Sequence, residues 1–571
     1  MNILGIIDGQ HDSGACILKD GELIAATAEE RIERIKMLGG FPYKAIKDVL
    51  EISNMKMEDI DAVAVGSLLT PPLYARLFRG MQKAERDVLE ERKTGLISFL
   101  SHFVKYRLKL TVINPESVLG MIQLPFVKPV FRMSLPKGLK GKPLHFVNHH
   151  LSHASAAYFS SGKKEALVIS SDCWGDGLSL AIFEARDGNL KRLYTVEAMD
   201  SLGHFYSAIT KYLGFKPFRH EGKITGLSAH GDAKSVKTPF PFVWSSGAVR
   251  YVRKKGLDID NELKSRLDDC RKEDVAAWLQ DNMMNWIREI TAKWVKKTGM
   301  ENVLLVGGLF SNVRFNQVIH EIPGVKFIYV FPEMGDGGLS VGGACHVYSQ
   351  QNNKYAKRSK RLENVYLGRG YTNNEIEAEL KKQKIIYKRS KDIEKEIAEL
   401  ISKGKVVARF NGRMEYGPRA LGNRSILYHA KDPDVNNWLN KRLKRTEFMP
   451  FAPATLYEHR GKCYKNMKGA EFAAKFMTIT FDCTDFMKKN SPAAVHVDGT
   501  ARPQLVTKED NPSFYRVIEE YHKITGIPTV INTSFNIHEE PIVRSPADAI
   551  RAFQDGHLDY LAIGDFLVEN R

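Results

Sequence analysis

Two short stretches decide the reading of this chain: His149-His150-Leu151-Ser152-His153 and Ser171-Asp172-Cys173-Trp174-Gly175-Asp176-Gly177. The apolar run Leu144 to Val147 before the first predicts a strand, and the small-residue run His153 to Phe159 predicts a helix. If that helix begins at about His149, then His149 and His153 share one helical face. Two imidazoles so related can bind one metal ion; a histidine pair at this spacing can equally cap or pack a helix start. Asp172 ends the next apolar run, Ala166 to Ser170, and brings a carboxylate to the same end. Two histidines and a carboxylate with open positions suit a borderline divalent metal such as iron, zinc or manganese.

The N-terminus has a similar outline. Ile3 to Ile7 predicts a buried strand ending in Asp8-Gly9, Ala15 to Leu18 a second, Asp20-Gly21 a hairpin turn and Leu23 to Ala26 a third. At 166–194 the same events recur: a strand ending near Asp172, then Leu178 to Phe183, the turn Asp187-Gly188 and Leu190 to Val196. Two such units predict an internal duplication. The layout resembles the actin/hexokinase/Hsp70 type of nucleotide-binding fold, in which twin loops after the first strand of each half face phosphates.

Composition sets the limits. The chain has 571 residues, 43% of them apolar, enough for two to four domains with substantial cores. It has no 18-residue apolar run and no signal-peptide layout at Met1-Asn2-Ile3-Leu4, so no membrane partner and a cytoplasmic location are expected. Cys16, Cys173, Cys270, Cys345, Cys463 and Cys483 are scattered without C-x-x-C spacing, which argues against a disulfide framework or a cysteine zinc site. The net charge of +17 attracts polyanions, ATP and phosphorylated small molecules among them. No interleaved basic-aromatic platform stands out, and nucleic acid is not the expected partner.

Further along, Glu29 to Lys36 predicts a charged helix start, and residues 70–140 a helical insert that resists finer reading. His220 to Gly231 predicts a glycine-punctuated polar loop in which Lys223 could serve an anion, and 262–298 predicts amphipathic helices. Val303 to Val306 runs into Gly307-Gly308-Leu309-Phe310-Ser311-Asn312. A strand followed by two glycines and a Ser or Asn helix start is a candidate adenosine or phosphate seat, with Gly307, Gly308 and Asn312 as its residues. The strand Lys326 to Phe331 ends in Pro332-Glu333-Met334-Gly335-Asp336-Gly337-Gly338, which makes Asp336 a fourth candidate metal ligand. Residues 349–362 are polar and basic without periodicity and predict a domain boundary, with 363–571 expected to fold alone.

Beyond that boundary, a strand Val406 to Phe410 precedes Asn411 to Ser425, where arginines 413, 419 and 424 stand among Gly and Pro. Arg419, Arg424 and the later Arg502 read as a clamp for phosphate or carboxylate, since guanidinium forks bind such groups bidentately. The strand Pro528 to Ile531 leads to Asn532-Thr533-Ser534-Phe535-Asn536, whose Ser534 and Asn536 suit phosphate or ribose.

Taken with Pro450-Phe451-Ala452-Pro453 and Thr500-Ala501-Arg502-Pro503-Gln504, these motifs resemble, over nearly the full length, the NodU/TobZ-type O-carbamoyltransferases. The resemblance implies an α/β architecture of two domains. One is a duplicated actin/hexokinase-like (ASKHA) domain over 1–350, similar to the tRNA threonylcarbamoyl-transferase domain. The other is a YrdC-like domain over 363–571, which makes carbamoyl-adenylate from carbamoyl phosphate and ATP. The first then passes the carbamoyl group to a hydroxyl of a sugar, aminocyclitol or glycan acceptor. The family's iron ligands fall on His149, His153, Asp172 and Asp336, and ATP with Mg2+ is the co-substrate. One departure is visible: where much of the family reads K-x-R-E-x-F-R-P-F-A-P, Met449 stands in place of the second arginine, and Lys444 or Arg445 is expected to take the ATP phosphate role. His11 is the candidate base for the acceptor hydroxyl, Lys223, Arg419 and Arg502 complete the expected catalytic groups, and a homodimer is the assembly considered. The alternatives are a tRNA-modifying threonylcarbamoyl transferase, a non-enzymatic actin-type switch and a transferase without an adenylate step.

Overall fold

Strands β1 (Asn2–Ile7), β2 (Gly14–Lys19) and β3 (Glu22–Ala28) form an antiparallel meander, and β4 (Ala62–Val65) and β5 (Leu144–Phe146) add in parallel beside β1. The resulting order is β3-β2-β1-β4-β5. The β2–β3 turn is Asp20-Gly21, both at positive φ (50° and 82°), the type I′ geometry that matches the twist of a hairpin. A second meander, β6 (Glu165–Gly175), β7 (Leu178–Arg186) and β8 (Asn189–Glu197), turns through Asp187-Gly188 at 46° and 87°. After a small hairpin of β9 (Phe242–Ser245) and β10 (Ala248–Tyr251), β11 (Asn302–Val306) and β12 (Phe327–Val330) join β6 in parallel. The second order, β12-β11-β6-β7-β8, repeats the first position for position. The expected duplication is therefore present in strand order and in strand direction. These observations come from a computed structural model that describes residues 1–77, 113–245, 248–251, 259, 261–352, 360–444, 449–537 and 539–570.

Each half sends a helix across to the other. His149–Ser161, after β5, packs on β6 and β11, while Leu339–Gln351, after β12, packs on β1, β2 and β4. The two helices also pack on each other, and small residues make this contact feasible. A Cβ on Gly342 would lie 1.8 Å from the carbonyl oxygen of Ser152, and one on Gly5 would lie 2.1 Å from that of Ser340.

The remaining chain builds a mixed eight-stranded sheet. Its strands are β13 (Lys388–Arg389), β14 (Val407–Phe410), β15 (Arg424–His429), β16 (Ala452–Leu456), β19 (Gln504–Val506), β20 (Thr529–Ser534), β21 (Tyr560–Ile563) and β22 (Phe566–Glu569), with β17 (Phe481–Asp482) and β18 (Thr500–Ala501) paired to one side. Helices Ile393–Ser402 and Pro512–Thr525 bury their apolar stripes against it. This sheet leans heavily on the first two. Arg31 Nη2 donates to the carbonyl of Gly417 (2.9 Å), Arg34 to those of Pro541 (2.6 Å) and Ile542 (2.7 Å), and Asn316 Nδ2 to that of Thr478 (2.6 Å). Apolar clusters run without a break from β6 and β11 into the C-terminal strands.

Several local expectations shift. The segment His220 to Gly231 is not a loop: Glu221–Ser228 is a helix, because Ile224 and Leu227 bury against the second half. The polar break is shorter than expected. Helix Leu339–Gln351 continues into it, 353–359 lie outside the described residues, and Arg361 already pairs with Ser161. Of the 70–140 insert, Leu73–Leu77 and Val118–Ser134 are helical, and 78–112 lie outside the described residues. Strand β20 runs on through Asn532-Thr533-Ser534 instead of ending at Ile531, since Ser534 still pairs with Ser425. Among the described residues no helix is long and apolar enough to cross a membrane.

The glycine contact gives a direct check. Gly342→Ala must push the two central helices apart, an overpacking change expected to cost about 1–3 kcal/mol. A thermal unfolding midpoint equal to that of the parent would show that the helices are not held this tightly.

Candidate functional site

Four side chains from both halves converge. His149 and His153 stand on the first two turns of their helix, Asp172 in the loop region of β6, and Asp336 between β12 and the helix Leu339–Gln351. One ligand atom from each falls within 4.8 Å of all the others. His153 Nε2 lies 3.2 Å from Asp172 and 3.7 Å from Asp336; His149 Nε2 lies 3.9 and 3.7 Å from the same two carboxylates. Both rings are fully buried, and none of their four nitrogens has a hydrogen-bond partner. Buried imidazole nitrogens left in this way are costly unless something else satisfies them. Two imidazoles and two carboxylates fit a divalent cation of the iron, zinc or manganese class. Without one, the carboxylates themselves do the work: burial disfavours charging His153, but Asp172 and Asp336 outweigh this and push it up to about 9. Burial would raise Asp172, yet His149 and His153 hold it well below the ordinary carboxylate range.

The surroundings fix these groups. Asp176 accepts hydrogen bonds from the backbone N–H of His149 (2.8 Å), Leu68 (3.0 Å) and Leu69 (2.7 Å), and from the Ser67 hydroxyl (3.0 Å). It thus ties the helix start to the loop after β4. Gly175 leaves room for His149, whose ring would lie 2.1 Å from a Cβ there. The glycine pair expected to seat a nucleotide reaches the donor set: Gly308 N–H donates to Asp172 Oδ2 (3.3 Å) and Gly308 lines the adjoining cavity, while a Cβ on Gly307 would meet the Ser171 carbonyl at 2.1 Å. Asn312 caps the following helix and pairs its amide with Gln280. His150 points away, hydrogen-bonded to Ser170 and the Leu178 carbonyl, and burial together with its two histidine neighbours lowers it to about 3. It is a neutral core histidine.

A cavity of about 510 Å³ opens beside the cluster. Its wall includes His11, Asp172, Asp336 and Asn312 from the first two sheets, and Arg419, Ser534 and Asn536 from the third. His11 faces the cavity with its side chain 38% exposed. Burial opposes its charging, but Asp12, 2.9 Å from Nδ1, prevails with help from Asp336 and raises it to about 10. Arg502 lines a second cavity of about 510 Å³ with Arg314, His496 and Met449. The three expected clamp arginines are therefore dispersed. Arg424 is fully buried, stacks 3.7 Å from the Phe410 ring and donates to the carbonyls of Asn411, Gly412, Asn423 and Arg369. Lys223 is buried on its helix and lines neither cavity. Lys444 is exposed, and Arg445 lies outside the described residues.

Sequence reasoning missed several groups. Glu415 holds the N–H groups of Leu421, Asn423 and Arg424 and so builds the loop that presents Arg419. Arg31 lines the first cavity, as does Glu333, which burial first and Asp12 second raise to about 8. Glu333 stands in the strand-end loop that carries Asp336, and Arg31 on the short helix Glu29–Glu33 that follows β3. The strand-end position was the available signal for Glu333, and Arg31 was masked by the run of charges around it.

Two sheets of one plan, cross-packed by one helix each and carrying a His₂Asp₂ donor set beside a cavity shared with a third sheet, define a ligand-binding α/β protein of the actin/hexokinase type. The description of the carbamoyltransferase N-terminus matches residues 2–345 and that of the carbamoyltransferase C-terminus residues 398–570. The chain belongs to the carbamoyltransferase family and is an enzyme of that class. It is 31% identical to an uncharacterized protein of Methanocaldococcus jannaschii across all of both chains, and 30% identical to the nodulation protein NolNO of Sinorhizobium fredii over 98% of this chain and 79% of that one. Among solved structures, the crystal structure of T. kodakarensis HypF aligns with 62% of this chain and 49% of its own at 10% identity and a TM-score of 0.35, too low to carry an argument.

The geometry of the donors is testable. Gly175→Ala should displace the His149 ring, and His153→Ala removes a donor outright. Both variants are expected to lose tightly held divalent metal by elemental analysis while keeping the parent's circular dichroism. Full metal occupancy in both would mean that the four side chains hold no ion.

Proposed function

We propose that this carbamoyltransferase works in two steps, forming carbamoyl-adenylate from carbamoyl phosphate and ATP and then transferring the carbamoyl group to an acceptor hydroxyl. The single observation that carries the reading is the shared cavity, with His11 and the donors Asp172 and Asp336 on one wall and Arg419, Ser534 and Asn536 on the other. Water cleaves carbamoyl phosphate to phosphate and carbamate; a carbamate oxygen attacks the α-phosphorus of ATP, and pyrophosphate leaves with its Mg2+. The acceptor oxygen then attacks the carbamoyl carbon and AMP departs. Both substrates of the first step are anions, so their approach needs fixed cations in a site shielded from water. Arg502 and Arg314 offer these in the second cavity, and Arg419 faces the product in the first. Arg424 and Glu415 act by holding the loop that carries Arg419. A divalent cation, iron in our reading, held by His149, His153, Asp172 and Asp336 would polarise the carbamoyl carbonyl and offset the part of the charge on His11 that comes from Asp336 and Asp172, leaving Asp12 as its partner. His11 is the group we assign to take the acceptor's proton. The mixed anhydride is prone to hydrolysis, which favours direct passage from the second cavity to the first over release to solvent. The acceptor is a hydroxyl compound, with sugar, aminocyclitol and glycan as the classes considered.

Pyrophosphate release with ATP and carbamoyl phosphate, acceptor omitted, tests the first step: none at all would leave only direct transfer from carbamoyl phosphate. Arg502→Lys keeps the charge but loses the fork, and should cost about 2–5 kcal/mol in carbamoyl phosphate dependence. His11→Ala should keep pyrophosphate release and lose carbamoylation. A parent-like curve for Arg502→Lys would return that arginine to a structural role.

A further inference from the structure

The helix Val118–Ser134 has two apolar faces, and among the described residues only one of them is packed. Its inner face is firmly seated. Ser117 caps the N-terminus by accepting from Gly120 N–H, Gly120 and Val127 are buried, and Phe131 lies between Phe41 and Phe146 with Arg76 stacked over it. Val127 packs in a cluster with Leu69, on the loop that Asp176 holds beside the metal-type site. The outer face carries Val118, Leu119, Met121, Ile122, Phe126 and Met133, each exposed between 56% and 72%. At 100° per residue these six positions span an arc of about 160°, centred opposite Val127 and Phe131. Exposed apolar residues are common singly, but six on one well-anchored helix form a contiguous patch, and such patches mark interaction sites.

The charges beside the patch indicate what covers it. Lys128 and Arg132 fall on one border of the arc, and Lys137, Lys140 and Lys142 follow directly. Residues 117–142 contain no acidic side chain, and the nearest one before them, Glu116, is paired with Arg192 at 2.7 Å. An apolar strip with a basic border, on a helix lying along the surface, suits the boundary between headgroups and acyl chains of an anionic bilayer. The apolar side chains enter the acyl boundary and the lysines meet lipid phosphates. The lack of an 18-residue apolar run excludes a span by this helix but not surface contact.

We infer that the Val118–Ser134 helix docks this enzyme onto anionic lipid surfaces through its outer apolar face. The inference does not depend on the adenylate reading. It would bring the enzyme's shared cavity near acceptors whose hydroxyl is carried by a membrane-anchored molecule.

Flotation of the full-length protein with vesicles of phosphatidylcholine, alone or mixed with phosphatidylglycerol, tests it. Recovery with the mixed vesicles should exceed that with the neutral ones and fall as salt rises. The double variant Ile122→Glu, Phe126→Glu should lower that recovery about tenfold or more, and Lys128→Glu should lower it too, with unfolding midpoints unchanged because these side chains are exposed. No flotation of the parent overturns the inference, as does equal flotation of the parent and the Ile122/Phe126 variant. If sedimentation instead shows a parent dimer that the Ile122/Phe126 variant loses, the face belongs to a second copy of the chain and the lipid assignment fails.

Discussion

The contact between helices His149–Ser161 and Leu339–Gln351 sets the geometry of everything around it. Each helix covers the other half's sheet, so their separation is also the separation of the two halves. Gly342 sits where any Cβ would strike the Ser152 carbonyl, and Gly5 where one would strike the carbonyl of Ser340. The close approach matters because the donors come from different halves. The first supplies His149 and His153 and the second Asp172 and Asp336, and a widening of even about an ångström would take them out of reach of one ion.

The duplication also shows how one position serves two purposes. Asp8, just after β1, and Asp172, in the irregular end of β6, stand at equivalent points of register in their respective halves. Ile6 pairs with Val65 in one sheet and Ser170 with Val306 in the other. Asp8 is buried and engaged by Arg76 at 3.0 and 3.1 Å, so its charge is satisfied within the protein. Asp172 has only two N–H donors and faces its histidines. The same division holds among the arginines: Arg424 spends its fork on main-chain carbonyls, whereas Arg419 and Arg502 line cavities.

Much of this was legible in the residues. Continuous apolar runs with Asp-Gly turns marked both meanders, and the spacing of His149 and His153 placed them on one helical face. Glycine-flanked carboxylates at strand ends marked Asp172 and Asp336, because strand ends in such sheets point to one edge. Other readings failed for physical reasons. Glu221–Ser228 carries two glycines and weak local helix preference, and it is helical because Ile224 and Leu227 bury against the second half. Gly307-Gly308 is a different case: a backbone N–H beside glycine suits any anion, and Gly308 both donates to Asp172 and lines the shared cavity with Asn312.

The sequence by itself determined the elements, their repetition and the chemical types of the site, since period, turn residues and side-chain chemistry are local properties. Which arginine faces a cavity and which is consumed by carbonyls, which of three clustered histidines turns into the core, and which face of Val118–Ser134 remains open were decided only by the tertiary structure. Those outcomes depend on how separate elements pack against one another, from the 20 residues between His150 and Ser170 to the 55 between Arg369 and Arg424, and local period and turn chemistry do not encode that packing.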